Sequence, residues 1–298
     1  RLHCGFHLDY FALWHVPGDP YARLAEAIRD SGGDTINSPA RSRYFTNKAN
    51  AHAKLCRQGL GVPATLIVAP GAGFDTSALS EQGISLDGSK TVYVKPANGF
   101  ASSGVTRIDS CKPERLQTVL LETRREHSQD SILIQQAVTY PRLRSEDGIE
   151  RWAYWRIVYS MGELIPFWWH KSEADQGRPS YRRLSGADIK RLQLADVLAY
   201  CRGLANLCGL DWFSTELCAS EGGEASAYHV PSPDGKILPV VAIDYVNDQC
   251  DVDAQSRWLG GPPDAFVRHV ATRFAEAARA RKDCLRFPAM PTTTLRAA

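Results

Sequence analysis

The stretch "RWAYWRIVYSMGELIPFWWH", residues 151–170, constrains the fold more than any other part of the sequence. It is typical of two apolar strands joined by a tight turn at Met161-Gly162. Helical patterns and further paired strands follow along the chain without a strict strand–helix–strand order. The longest helical pattern covers 186–209, and "SPARSRYF", residues 38–45, is typical of a loop. Such an order predicts an α+β protein rather than one doubly wound parallel sheet.

Charge and cysteine content narrow the class of protein. The 298 residues carry a formal net charge of +2, so there is no overall basic field and we expect no nucleic-acid partner. The eight cysteines include no Cys-x-x-Cys pair, and Cys201, Cys208 and Cys218 lie in apolar patterns typical of a core. We therefore expect reduced thiols and a cytoplasmic protein. No apolar run is long enough to span a bilayer, which predicts that the protein has no membrane partner.

A loop poor in large side chains follows Lys95 in "VYVKPANGFASSGVTRI", residues 92–108. Small residues let backbone N–H groups approach an anion closely, and a lysine at the edge of the loop supplies positive charge. The spacing does not match the P-loop, because no Gly-Lys-Ser/Thr follows. Taken alone, the stretch favours a flexible hairpin turn with a solvated lysine over an anion site.

Two carboxylates lie inside strands that are otherwise apolar, Glu216 in "FSTELC" and Asp244 in "VVAIDYVND". A carboxylate is costly to bury unless it is paired with a cation or bound to a metal. Together with Asn247, the two acids favour a hard cation that keeps water and phosphate oxygens as its other ligands. The alternative is that each acid pairs with an arginine, and Arg156 is the candidate.

The order of these elements resembles the ATP-grasp superfamily, in which two α+β lobes hold ATP between them. The resemblance covers roughly residues 44–250. The stretch "NKANAHAKLCRQGLGVPATLIV" is similar to the family's helix that opens with a phosphate-binding lysine, and "VKP" matches a second lysine ahead of a loop over the phosphates. The strand "ILIQQAV" is similar to the one that lines the adenine. The nucleotide contacts that the resemblance implies are Lys48, Lys95, Ser102, Ser103, Gly104, Gln135, Gln136 and Val138.

The resemblance implies catalytic roles for Arg156 and Lys95. Arg156, in "WRIVYSMGEL", occupies the place of the family's strand arginine and would stabilise the charge of an acyl phosphate and of its tetrahedral adduct. The motifs do not single out the acid that binds the ribose or the residues of the acceptor loop. The candidates are Glu146, Asp147 and Glu150 for the ribose, and His170, Lys171 and Arg182 for the acceptor.

The resemblance also implies that Glu216, Asp244 and Asn247 are ligands of Mg²⁺. In the family the last acid and the asparagine are two residues apart, so both side chains share one face of a strand. Here they are three apart, which places them on opposite faces unless the strand bulges or ends. Asp248 has the parity of Asp244 and is the alternative to Asn247.

These matches predict an ATP-grasp-like fold of two α+β lobes clasping ATP, with a reduced or truncated N-terminal lobe. The expected domains are a remnant of the N-terminal lobe at 1–45, a small lobe with the phosphate loop at 46–135, a large lobe with the metal site at 136–285 and a tail at 286–298. The implied activity is that of an ATP-dependent ligase. It would join a small-molecule carboxylate to an amine through an acyl phosphate, giving an amide, ADP and phosphate. The alternatives are a small-molecule kinase of the same fold, and a nucleotide-binding regulatory module without turnover.

Overall fold

A computed structural model describes residues 20–31, 35–73, 75–99, 103–169, 181–248, 250 and 253–284. Helices and strands are mixed along this part of the chain, which confirms the predicted α+β class. The helices are α1 (Pro20–Asp30), α2 (Pro39–Thr46), α3 (Lys48–Arg57), α4 (Thr76–Glu81), α5 (Pro113–Glu126), α6 (Gly186–Arg191), α7 (Ala195–Cys208) and α8 (Asp264–Cys284). The strands are β1 (Thr65–Val68), β2 (Val92–Pro96), β3 (Thr106–Ile108), β4 (Ile132–Gln136), β5 (Arg142–Arg144), β6 (Glu150–Trp152), β7 (Tyr154–Ser160), β8 (Glu163–Trp169), β9 (Tyr181–Arg183), β10 (Trp212–Ala219), β11 (His229–Pro231) and β12 (Ile237–Asn247).

Within the described residues the strands form one sheet of four, one of six and one of two. The four-stranded sheet has the order β1-β4-β2-β3, and the six-stranded sheet has the order β11-β12-β10-β7-β8-β9. All neighbouring strands in them are antiparallel, and β7 and β8 form the predicted hairpin around Met161 and Gly162. The strands β5 and β6 form the two-stranded sheet.

One helix packs on each large sheet through an apolar face. In α5 the buried positions are Leu116, Val119, Leu120 and Thr123, three or four residues apart, as expected for one helical face. The three apolar ones pack in a core with strands of the four-stranded sheet. The apolar face of α7 packs in a larger core that also holds side chains from β7, β10 and β12.

The structure differs from the sequence-based expectation in two helices. Residues 38–45, expected to be a loop, lie largely in α2, where Ser38 is extended and Pro39 occupies the first turn. Proline is favoured there because the first helical N–H groups have no partner inside the helix. The long helix expected at 186–209 is divided into α6 and α7, because the chain between them turns through Gln193 at φ +54°.

The larger core joins the two sheets. It contains Leu55 of α3 and Leu133 of β4 together with Trp155 and Phe213 of the six-stranded sheet. The chain passes from the first sheet to the second after β4, and the predicted domain boundaries stay a prediction. Of the described helices, none is both long and apolar enough to cross a membrane. The structure shows free thiols at Cys56, which is exposed, and at the buried Cys111, Cys201, Cys208, Cys218 and Cys250.

Candidate active site

Lys95 lies at the junction of the two sheets. Its ammonium group donates to Gln135 Oε1 at 2.7 Å and to the main-chain oxygen of Ile243 at 3.3 Å. Burial lowers the pKa of Lys95 to about 8, although the carboxylates of Asp244 and Glu216 favour its charged form. Lys95 is therefore a largely desolvated cation close to both acids, and the alternative of a solvated lysine at a strand end is wrong.

Lys48 is tied to the loop that follows Lys95. It is the first residue of α3, whose N-cap is Asn47, with a side chain that accepts from Asn50 N at 3.0 Å. The Lys48 ammonium donates to the main-chain oxygen of Gly99 at 2.5 Å, and its N–H donates to that of Ala97 at 2.9 Å. Coulombic repulsion from Lys48 also lowers the pKa of Lys95, so the two predicted phosphate lysines lie near one another.

The described end of the loop packs against its own entrance. Ser102 lies outside the described residues, whereas Ser103 is exposed and Gly104 has a φ of +69°. A Cβ atom on Gly104 would lie 2.8 Å from His127 Nε2 and 2.9 Å from Pro96 Cγ. Glycine is therefore required here by backbone conformation and by packing, independently of any ligand.

Arg156, Glu216 and Asp244 form a row across three neighbouring strands. Arg156 of β7 is opposite Glu216 of β10, which is opposite Asp244 of β12. Arg156 Nη1 lies 3.6 Å from Glu216 Oε1, and the Tyr154 hydroxyl donates to the other oxygen of Glu216. The alternative of a permanent arginine partner thus holds for Glu216. No described side chain donates to the half-buried carboxylate of Asp244.

The guanidinium of Arg156 keeps donors that the described protein does not use. One terminal nitrogen donates to Ser214 Oγ at 3.1 Å, and the group lies over the ring of Trp169 at 4.9 Å from its centroid. The buried Nε has no hydrogen-bond partner in the described part of the chain. A buried, unsatisfied donor is costly, so this arginine suits an anionic ligand.

A bulge in β12 resolves the unusual spacing of Asp244 and Asn247. Ser214 is opposite Asn247 and Glu216 is opposite Asp244, so two steps along β10 correspond to three along β12. The additional residue resets the alternation of side chains. Asp244 and Asn247 therefore share a face with Glu216. Asp248, the alternative ligand, is buried just beyond the end of the strand.

The donor set fits a hard cation that arrives with a phosphate ligand. Glu216, Asp244 and Asn247 offer two carboxylates and an amide oxygen, which are donors that Mg²⁺ prefers. No group of three or more His, Cys, Asp and Glu side chains suited to a metal occurs among the described residues. The set thus resembles a partial site that phosphate oxygens and water complete, rather than a cage built by protein alone.

The Gln135 side chain is used entirely inside the protein. Its oxygen accepts from Lys95, and its amide nitrogen donates to Thr65 Oγ1 at 3.2 Å and to the Tyr245 hydroxyl at 2.9 Å. The residue is 2% exposed. No hydrogen-bonding group of this side chain is left for an adenine, so any contact there would use other atoms.

The other residues predicted for the adenine, ribose and acceptor sites are bonded within the protein, exposed, or outside the described residues. Gln136 Oε1 accepts from Ser85 N at 3.2 Å, and the half-buried Val138 packs on the apolar side of the six-stranded sheet. Asp147 forms ion pairs of 3.0 Å with Arg151 and with Arg182. This joins a ribose candidate to an acceptor candidate. Glu146 and Glu150 are exposed, and His170 and Lys171 lie outside the described residues.

Sequence reasoning missed three residues of this site, Tyr154, Tyr245 and His52. His52 Nδ1 lies 2.7 Å from the Tyr245 hydroxyl, and burial lowers the pKa of His52 to about 4. The spacing of His52 was a usable signal that it lies near the site, because His52 follows Lys48 by one helical turn and shares its face. Neighbouring tyrosines in apolar strands gave none.

The comparisons with known proteins agree on the fold. No protein-family model and no curated protein sequence matches the chain. The structure of D-alanine–D-alanine ligase from Bacillus anthracis complexed with ATP has a TM-score of 0.56 at 13% identity, covering 88% of this chain and 75% of that one. D-cycloserine synthetase DcsG has a TM-score of 0.51 at 15% identity, covering 86% and 79%.

A RimK domain protein from Sphaerobacter thermophilus, described as ATP-grasp, has a TM-score of 0.50 at 17% identity and covers 85% of this chain and 73% of that one. At such identities the likeness concerns architecture alone. The chain has the ATP-grasp fold.

Proposed function

We propose that the chain is an ATP-dependent ligase that joins a carboxylate to an amine, giving an amide, ADP and phosphate. The observation that carries the proposal is the proximity of Lys95 to Asp244 and Glu216, which form a row with Arg156 across three strands. Cations suited to phosphate and acids suited to a metal lie on facing elements. The ATP in the structure of the Bacillus anthracis ligase of the same fold supports the same ligand here.

The proposed reaction moves the γ-phosphoryl group from ATP to an oxygen of the carboxylate. The amine nitrogen then bonds to the carbonyl carbon, phosphate leaves with that oxygen, and the amine gives up a proton. Lys95 and Lys48 would hold the phosphates, since Lys48 is bonded to the loop after β2 and Lys95 lies close to Lys48. Arg156 would stabilise the negative charge that develops on the carbonyl oxygen.

Magnesium would be held by Glu216, Asp244 and Asn247, and it would neutralise the charge of the phosphates when bound. The bulge in β12 bears on the rival reading of a regulatory module without turnover. The unusual spacing of Asp244 and Asn247 was the feature that favoured this alternative. The two residues nevertheless lie on the same face of the strand. The spacing therefore gives no reason to prefer a regulatory module, and the kinase of the same fold remains the second candidate.

Release of phosphate from ATP distinguishes the candidates. Purified protein with Mg-ATP is incubated with small acids and amines, singly and in pairs. A ligase releases ADP and phosphate only when an acid and an amine are both present. A kinase releases ADP without phosphate and needs one co-substrate, and a binding module releases neither. Lys95→Met serves as the control that assigns any turnover to this site.

A further inference from the structure

A continuous chain of hydrogen bonds runs from α3 to Lys95. It begins at His52, whose Nδ1 lies 2.7 Å from the Tyr245 hydroxyl. That hydroxyl accepts from Gln135 Nε2 at 2.9 Å, and Gln135 Oε1 accepts from Lys95 at 2.7 Å. His52, Gln135 and Tyr245 are 8%, 2% and 2% exposed. We call His52, Tyr245, Gln135 and Lys95 the Lys95 relay. The relay crosses from the six-stranded sheet, at Tyr245, to the four-stranded sheet, at Gln135.

The chemistry of the donors fixes the orientation of Lys95 and of Gln135 in the relay. An ammonium group only donates, so the carboxamide oxygen of Gln135 must point at Lys95. The amide nitrogen of Gln135 then faces Tyr245 and donates to it. The hydroxyl of Tyr245 has a single hydrogen, and it lies within hydrogen-bond reach of both His52 Nδ1 and the Thr65 side chain. His52 Nδ1 therefore accepts from this hydroxyl in one tautomer and donates to it in the other, and Nε2 lies 3.4 Å from Cys56 Sγ.

Packing alone gives no reason for the relay. Its middle members lie in the core that joins the sheets, where polar groups are costly unless every partner is present. Lys95 lies near both Asp244 and Glu216, and Tyr245 follows Asp244 directly in β12. An ammonium group has three N–H donors, and the described hydrogen bonds of Lys95 use two, while the group also lies 5.5 Å from the centroid of the Tyr93 ring. The relay thus holds the group while leaving one donor unused.

We propose that Tyr245, held by His52, is a positioning residue that acts through Gln135 to aim the remaining donor of Lys95 at a nucleotide phosphate. The inference rests on the proposed function, in which Lys95 binds ATP. A lysine side chain has four rotatable bonds, and fixing it before binding lowers the entropic cost of the contact. The relay does this without placing Tyr245 or His52 against the nucleotide.

Two matched variants test the proposal. Tyr245→Phe removes only the hydroxyl that orients Gln135. Tyr200→Phe is the control, because Tyr200 is fully buried in the same core and its hydroxyl donates to the main-chain oxygen of Gly61 at 2.7 Å. Titration calorimetry with Mg-ATP should give a Kd about tenfold higher for Tyr245→Phe and less than twofold higher for Tyr200→Phe, although both lower the melting temperature.

The far end of the relay provides a second comparison. His52→Ala removes the hydrogen-bond partner of the Tyr245 hydroxyl on α3 and should also raise the Kd, whereas His52→Asn supplies a side-chain amide, which can accept or donate, and should restore most of the affinity. Equal effects of the two tyrosine variants would overturn the proposal. An asparagine variant as weak as the alanine variant would also do so, since loss of packing would then explain both.

Labelling of Lys95 separates failure of the relay from failure of the proposed function. If the parent protein does not bind ATP, the proposed function fails, and the relay is tested by the rate at which an amine-reactive reagent modifies Lys95, read by peptide mass spectrometry. Tyr245→Phe should then label at least threefold faster than the parent and Tyr200→Phe should not. Equal rates would show that the relay does not hold Lys95.

Discussion

At the residue scale, Lys95 combines a positive charge with a largely desolvated position. Burial lowers its pKa to about 8, so the ammonium group loses its proton close to neutral pH. A lysine in water, with a pKa near 10.5, would not. The charge available for a phosphate therefore depends on pH within the range in which most enzymes are assayed.

Replacing Lys95 by methionine should weaken ATP binding by about 1.5–3 kcal/mol, the range for a hydrogen bond to a charged group. In the parent, affinity should fall as pH rises from 7 to 9, since the ammonium is present below its pKa and lost above it. Calorimetry at both pH values checks this, with Lys112→Met, at an exposed lysine, as control. A parent affinity that does not change with pH would contradict the assignment.

The two acids of the row should respond differently to loss of charge. Glu216→Gln leaves Arg156 buried without its carboxylate, which costs about 3–5 kcal/mol in comparable ion pairs. Asp244→Asn relieves repulsion between neighbouring acids and should melt at or above the parent temperature. Both should abolish magnesium-dependent ATP binding. Denaturation in urea measures the difference, and the exposed Glu150→Gln should leave stability unchanged.

At the element scale, the loop between β2 and β3 is anchored by its own residues. Lys48 holds Gly99, and Gly104 packs on Pro96 and His127. From the sequence, the small residues of this loop indicated close approach to an anion. At Gly104 the immediate reason is different, because backbone conformation and an intramolecular contact exclude any side chain.

Gly104→Ala should destabilise the protein more than Gly148→Ala. Both glycines have positive φ, +69° and +79°, so each alanine is strained by about 1–2 kcal/mol. A Cβ on Gly148 meets nothing within 4 Å, whereas one on Gly104 overlaps two groups and adds about 1–3 kcal/mol. Thermal melting compares the variants. Equal losses would show that the loop yields to the methyl group.

The sequence predicted the helices and strands better than the breaks and bulges within them. Alternation and the Met161-Gly162 turn predicted the β7–β8 hairpin, because both follow from local chemistry. The break between α6 and α7 has no such signal, since Gln193 is not a residue that favours positive φ. Glu216 and Asp244 were readable as acids in apolar strands. Tyr245 was not, because a tyrosine in a strand is ordinary and its partner is 110 residues away.

At the scale of the whole molecule, the two sheets are joined by apolar packing and by polar contacts inside it. Lys95 bonds to the main chain of Ile243, and Gln135 bonds to Tyr245. His52 extends the second contact to α3. Loss of the hydrogen bond between His52 and Tyr245 would therefore disturb the junction of the sheets rather than one surface.

Global stability should fall as pH is lowered from about 6.5 to about 4. Burial lowers the pKa of His52 to about 4, so in this window the unfolded chain binds a proton that the native protein does not. The stability is fully present above pH 6.5, and the loss is on the order of 3 kcal/mol. Urea denaturation across the window should show a smaller loss for His52→Asn. Identical curves would exclude this histidine as the cause.

The bulge lies in a segment of β12 that, among the described strands, has a partner strand on one side only. In the described residues, β11 borders β12 only along 237–239, whereas Asp244 and Asn247 face β10 on one side and have no strand on the other. An insertion in this segment can be absorbed without breaking a second ladder. Proteins of this fold could therefore gain or lose the additional residue of the bulge and keep the same oxygens on one face of the sheet. Lineages that differ by such an insertion would share chemistry while their sequences, aligned position by position, no longer show it.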